Sequence, residues 1–175
     1  MAHQQYFRSR PDLKLLYTAK GDLFSNHLQD YVFVVFDRKN TRVSILAFNQ
    51  LTARYSELFR ELRVQNDLET ANCNYGVFGT LDYQIADNII YGKEYLLKKP
   101  ESFFDYEICR FADISKDSTF VLANGCLSKK LSKKSIQGHT CLCISTSTVY
   151  NNWECLSYNK AGGRLSIFYG QAFAD

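Results

Sequence analysis

Two neighbouring apolar runs constrain the fold of this chain more than any other feature of its sequence. They cover residues 31–36 and 42–48 within DYVFVVFDRKNTRVSILAFN, and the polar segment DRKN separates them. Both runs are rich in Val, Phe and Ile, which pack well on a pleated surface. A short polar break between two such runs is typical of a β-hairpin. The first run is apolar on both faces, so we expect it to lie centrally in a sheet.

The segment that follows, residues 50–65, has the spacing of an amphipathic helix. Its apolar side chains recur at intervals of three and four residues, and charged side chains cover the opposite side. The apolar positions are Leu51, Tyr55, Leu58, Phe59 and Leu62. Asn49 is suited to cap such a helix at its N-terminus. The sequence therefore predicts a sheet-packing helix over residues 50–65.

The remaining segments read mainly as strands. Strands are predicted at 103–111 and 118–123, and a C-terminal meander is predicted from TCLCISTSTV, WECLSY and RLSIFY, with NKAGG as the last turn. The predicted fold class is α+β, with a mostly antiparallel twisted sheet. No repeat or linker is visible, so residues 1–175 are interpreted as a single domain, of which the polar residues 1–14 are expected to be flexible or partly helical.

Composition and cysteine use indicate a globular protein of the cytoplasm. Hydrophobic residues make up 46% of the chain and charged residues 22%, which excludes a disordered chain. No apolar run reaches the length of about 18 residues that a membrane span needs, and the first residues lack the apolar core of a secretory signal. Without a route to an oxidising compartment, the six cysteines are expected to remain thiols.

One set of residues suggests a thiol hydrolase. Cys73 precedes His139, which stands in QGHTCLCI at the start of a predicted strand, and Asn152 follows in NNW. This order resembles that of papain-like and amidase-type thiol hydrolases, such as the CHAP amidases. The resemblance implies that Cys73 is the nucleophile, His139 the base and Asn152 the group that orients the base. However, Gly76 and Gly79 interrupt the helix that should follow the nucleophile.

Two further patterns suggest a metal site and an ADP-ribosyltransferase site. Cys141, Cys143 and His139 are close in sequence, but zinc sites usually contain two ligand pairs, and the sequence offers no second pair. We therefore predict no metal and no cofactor. The segment ISTSTV resembles the Ser-Thr-Ser strand of mono-ADP-ribosyltransferases, with Arg42 and Glu154 as the corresponding charged residues, although Glu154 follows the strand too closely.

The densest positive charge lies in LSKKLSKKS. It comes from Lys129, Lys130, Lys133 and Lys134. Such a patch can attract an acidic protein partner, whereas a nucleic-acid platform would also need interleaved aromatic residues. Single α+β domains of this size without catalytic motifs are common among immunity proteins and phage or plasmid inhibitors. By this analogy we favour a small cytosolic binding or inhibitor protein without its own catalysis. The thiol hydrolase is the alternative.

Alkylation distinguishes these two interpretations. We expect Cys73 to react with iodoacetamide slowly, at a rate similar to that of the other thiols, because a binding protein has no need of an activated thiolate. Mass spectrometry of a labelling time course at neutral pH measures the rate at each cysteine. If Cys73 labelled much faster than the others, and His139→Ala removed the difference, the hydrolase interpretation would replace the binding protein.

Overall fold

Two β-sheets make up most of the described part of the chain. The computed structural model describes residues 2–40, 42–68, 109–116, 125–128, 134, 137–138, 140–145 and 153–171. Its elements are α1 (Ala2–Arg8), β1 (Leu13–Gly21), β2 (Asp30–Asp37), β3 (Arg42–Asn49), β4 (Arg54–Glu57), β5 (Val64–Asn66), β6 (Cys109–Ala112), β7 (Gly125–Leu127), β8 (Cys141–Ser145), β9 (Trp153–Asn159) and β10 (Arg164–Gln171). No helix in these residues is long and apolar enough to cross a membrane.

The strands are almost all antiparallel. The first sheet has the order β1-β2-β3-β4. The second sheet has the order β5-β10-β9-β8-β6, with β7 also paired to β10. The pairing of β5 with β10 is the parallel contact in the second sheet. The prediction that the strands are mostly antiparallel is confirmed, but they form two sheets where a single sheet was predicted.

The predicted hairpin is present as β2 and β3. Val34 pairs with Ile45 in its register, and β1 covers the other edge of β2, so the first apolar run is interior to the sheet. The turn is closed by Asp37, which accepts hydrogen bonds from the backbone N–H and the side-chain amide of Asn40 at 3.0 and 2.7 Å. An Asp at this position commonly bonds to the backbone that follows it.

The predicted helix over residues 50–65 is wrong, and the α+β fold class is wrong with it. The segment contains β4, a tight turn and β5. Its backbone groups pair with β3 instead of forming a helix, as in the bond from the Leu58 N–H to the Ile45 carbonyl at 2.8 Å. Leu58 and Leu62 are buried, but Leu51, at the start of the predicted stripe, is 68% exposed. Tertiary pairing has overridden the local periodicity.

The main core lies between the two sheets. Side chains from the first sheet, among them Val32, Val34 and Ile45, meet Leu142, Leu156 and Ile167 of the second. The sheets are in close contact where Gly21 at the end of β1 lies against the ring of Phe111 in β6, leaving no room for a Cβ. The described part of the chain thus forms two packed β layers with one shared apolar interior.

The C-terminal meander was predicted correctly. β8 pairs with β9 and β9 with β10, all antiparallel. The predicted strand at 103–111 overlaps β6 at its end, whereas the predicted strand at 118–123 lies outside the described residues.

A carboxyl group is buried in the second sheet. Glu154 lies opposite Ile144 on β8 and Gly170 on β10, and the strand alternation places it on the same face as Leu156, toward the core. Its side chain is buried, and its Oε2 atom has no hydrogen-bond partner among the described residues. Burial raises the pKa of Glu154 from 4.5 to about 7, because an apolar surrounding disfavours the charged form.

This raised pKa makes the stability depend on pH. The folded protein holds the Glu154 proton more tightly than the unfolded chain, so the resulting stabilisation is complete below the unfolded value and is lost as the pH rises through about 7. We expect the free energy of unfolding to fall between about pH 5 and about pH 8 in the wild type, and to fall less in Glu154→Gln.

Urea unfolding at each pH measures this difference. Glu61→Gln is the matched control, because it replaces a carboxyl group by the same amide at an exposed position. Parallel pH profiles for the wild type and Glu154→Gln would show that Glu154 is not the titrating group.

Candidate functional site

A cleft of about 480 Å³ opens on the outer face of the first sheet, the face turned away from the second sheet. Side chains from α1 and from all four strands of the sheet line it, including Tyr6, Leu13, Val35, Ser44 and Tyr55. Its volume is within the range of about 300–1,000 Å³ that is usual for ligand sites.

Stacked aromatic rings hold α1 against this face. The rings of Tyr6 and Tyr55 are nearly parallel, with centroids 3.7 Å apart, and Phe7 makes an edge contact with Phe33. His3 packs among the same rings, and its Nδ1 lies 2.6 Å from the Tyr55 hydroxyl. Burial lowers the pKa of His3 and raises that of Tyr55 to about 12, so this hydrogen bond joins a neutral imidazole to a neutral phenol, and the imidazole tautomer sets which of the two donates.

A polar network forms another side of the cleft. Arg42 contacts Glu57 at 3.2 Å, and the Ser44 hydroxyl donates to the same carboxylate at 2.9 Å. These bonds run from β3 to the neighbouring strand β4. Asp37 lies 3.8 Å from the Arg42 Nε. Burial alone would raise the pKa of Asp37, but the bonds from Asn40 and the charge of Arg42 bring it below its usual value.

Arg54 differs from the other charged groups of the lining. It is exposed at the start of β4, the edge strand of the first sheet. Within the described part of the chain it forms no ion pair, whereas the Asp37 and Glu57 carboxylates are already engaged. The cleft therefore combines an aromatic wall, the ionic network around Arg42 and the exposed guanidinium of Arg54. Its lining also contains the exposed side chains of Glu61 and of Arg10, which pairs with Asp12. This arrangement is suited to binding a polar or acidic side chain of another molecule.

A second cluster of functional side chains lies on the outer face of the second sheet. Cys141 and Cys143 are two residues apart on β8 and point to the same face. Cys155 on β9 lies directly opposite Cys143 and forms a disulfide with it. The expectation that all six cysteines are thiols is therefore wrong for Cys143 and Cys155, because strand pairing brings their Cα atoms to 3.9 Å.

Cys141 is a thiol beside this disulfide. Its Sγ lies 3.8 Å from the Sγ of Cys143 and donates to the backbone carbonyl of Ala112 at 3.1 Å. Burial raises the pKa of Cys141 to about 12. The sequence brings Cys141 and Cys143 together, but it does not reveal that Cys155 belongs to the same sulfur cluster. Its position beside them depends on the register of β8 and β9.

Most of the residues predicted as sites lie outside the described residues. This applies to Cys73, His139 and Asn152 of the hydrolase interpretation, and to Lys129, Lys130 and Lys133 of the basic patch. Those interpretations stay predictions. Lys134 is described, and it is exposed in a turn.

The residues of the ADP-ribosyltransferase comparison do not come together. Arg42 is bound to Glu57 on the outer face of the first sheet, whereas Glu154 faces the core between the sheets. The first sheet therefore separates the two side chains, and they cannot contact one substrate.

Comparison with known proteins identifies no relative. The chain matches no protein-family model, no curated protein and no solved structure.

Proposed function

We propose that this chain is a small cytoplasmic binding protein of the inhibitor kind, and that the cleft beside α1 is its recognition surface for an acidic segment of a protein partner. The observation that carries the proposal is the exposed Arg54 guanidinium at the edge of a cleft walled by stacked Tyr6 and Tyr55. Arg and Tyr are the residue types that most often dominate binding energy at protein interfaces.

The rigidity of the aromatic wall supports this proposal. Tyr55 is held on one side by the Tyr6 ring and at its hydroxyl by His3, so little side-chain freedom remains to be lost on binding. A surface that is ordered before its partner arrives loses less entropy when the complex forms.

The charges around Arg54 favour a carboxylate as its partner. Arg42 and Arg60 both contact Glu57, and Arg42 also approaches Asp37, so these acidic groups are largely compensated. The Arg54 guanidinium can then bind an incoming carboxylate through two parallel N–H donors. Attraction of this kind weakens with salt, because the group is exposed.

Charge reversal at Arg54 tests the proposal. We expect Arg54→Glu to lower the affinity for the partner by about tenfold or more, since a like charge would then face the partner carboxylate. The wild type and the variant, each as an immobilised full-length chain, are incubated with extract of the source cells, and quantitative mass spectrometry compares the captured proteins at low and high salt.

Lys160→Glu is the matched control for this experiment. Lys160 is also an exposed cation, but it lies in the turn between β9 and β10, outside the cleft lining. The proposal requires a protein that the wild type and Lys160→Glu retain and Arg54→Glu loses. Equal capture by all three, or capture of no specific protein by the wild type, would contradict it.

A further inference from the structure

Three sulfur atoms from two adjacent strands converge at one buried point of the second sheet. The Sγ atoms of Cys141, Cys143 and Cys155 all lie within 4.8 Å of one another. All three side chains are buried, beside Ile114 and Trp153. Strand geometry explains the convergence, because residues two apart on β8 share a face and the residue opposite on β9 shares it too.

The spacing of these sulfurs suits a bound metal ion. Zinc binds thiolate sulfur at about 2.3 Å in tetrahedral geometry, so two sulfur ligands of one zinc ion lie about 3.8 Å apart. The Sγ atoms of Cys141 and Cys143 are separated by 3.8 Å. Cys155 needs only to part from Cys143, across a strand pair that already holds the two residues face to face, to supply the third ligand.

The protonation of Cys141 argues against a simple thiol–disulfide relay within the cluster. Attack on the neighbouring disulfide requires a thiolate, but the Cys141 thiol keeps its proton in a hydrogen bond to the backbone carbonyl of Ala112 at 3.1 Å. A metal ion changes this, since a coordinated thiol is deprotonated by the charge of the ion itself.

We propose that Cys141, Cys143 and Cys155 form a binding site for Zn²⁺ or a similar thiophilic ion when reduced, and that the Cys143–Cys155 disulfide is the oxidised, metal-free form of the same site. A low-molecular-weight thiol is the reductant. Two such thiols give up two electrons and become one disulfide, while Cys143 and Cys155 each gain a hydrogen. Binding of Zn²⁺ then displaces the protons of the three thiols to the solvent.

The disulfide form and the metal-bound form both hold β8 against β9. The disulfide links β8 to β9 in an oxidising environment, and the metal ion links them in a reducing one. The described residues supply three thiolates in one group, which leaves a fourth position of the ion for water or another ligand. This site lies on the outer face of the second sheet and is independent of the cleft proposed as the recognition surface.

Cobalt titration of the reduced protein tests the site. The full chain is reduced, freed of reductant without oxygen and titrated with Co²⁺, whose thiolate-to-metal charge-transfer absorption reports sulfur ligands. We expect one equivalent of Co²⁺ to bind with this absorption, and Zn²⁺ to displace it. The oxidised protein should not develop the absorption, because two of the three ligands are then joined to each other.

Two variants make the test specific. Cys141→Ser should lose the stoichiometric absorption while the circular dichroism of the reduced variant remains that of the reduced wild type, because a serine side chain occupies nearly the same space as cysteine. Cys109→Ser should keep it, since Cys109 is a buried cysteine on β6 that faces the core between the sheets. Cys155→Ser gives a second loss if Cys141→Ser does not fold.

Several outcomes would overturn the proposal. They are the absence of Co²⁺ binding by the reduced wild type, the same absorption in the oxidised protein, and the same absorption in Cys141→Ser and Cys155→Ser as in the wild type. Loss of the absorption in Cys109→Ser to the same degree would also overturn it, because the ligands would then lie elsewhere.

Discussion

Burial of the two facing sheet surfaces is the constraint on which the rest of this structure depends. Each sheet turns a row of aliphatic side chains inward, and removal of that area from water is the main free-energy gain of folding. The layers are in close contact at Gly21 and Phe111. Leu58 and Leu62 fill the same interior from the turn that links the first sheet to β5. The core thus joins distant parts of the chain.

The shared core leaves each sheet with an outer face, and the two outer faces carry different chemistry. On the first sheet, α1 covers an aromatic surface and borders the cleft that contains Arg54. On the second sheet, the outer face holds Trp153 together with the three clustered sulfurs. The proposed recognition of a partner and the proposed binding of a metal ion can therefore change independently, because the apolar core lies between the two surfaces.

The sequence predicted those elements whose residue pattern fits only one kind of secondary structure. The hairpin of β2 and β3 and the meander of β8 to β10 combine apolar strands with short polar turns, and both were predicted. The structure of residues 50–65 was not predicted correctly. The spacing of Leu58 and Leu62 fits one face of a helix as well as a turn inserted into a core, and local periodicity does not distinguish the two. The place of Cys155 in the sulfur cluster was not predicted for a related reason, since strand register depends on contacts between strands.

The two-layer core depends on the close packing of Gly21 against Phe111, and nuclear magnetic resonance measures this contact directly. The Gly21 Hα protons should show nuclear Overhauser effects to the Phe111 ring protons and chemical shifts displaced by the ring current, because the ring lies against the glycine backbone. Phe111→Leu should remove the displacement while the rest of the spectrum remains that of a folded protein. Ordinary glycine shifts and no contact with Phe111 in the wild type would contradict the packing of β1 on β6, and with it the two-layer core.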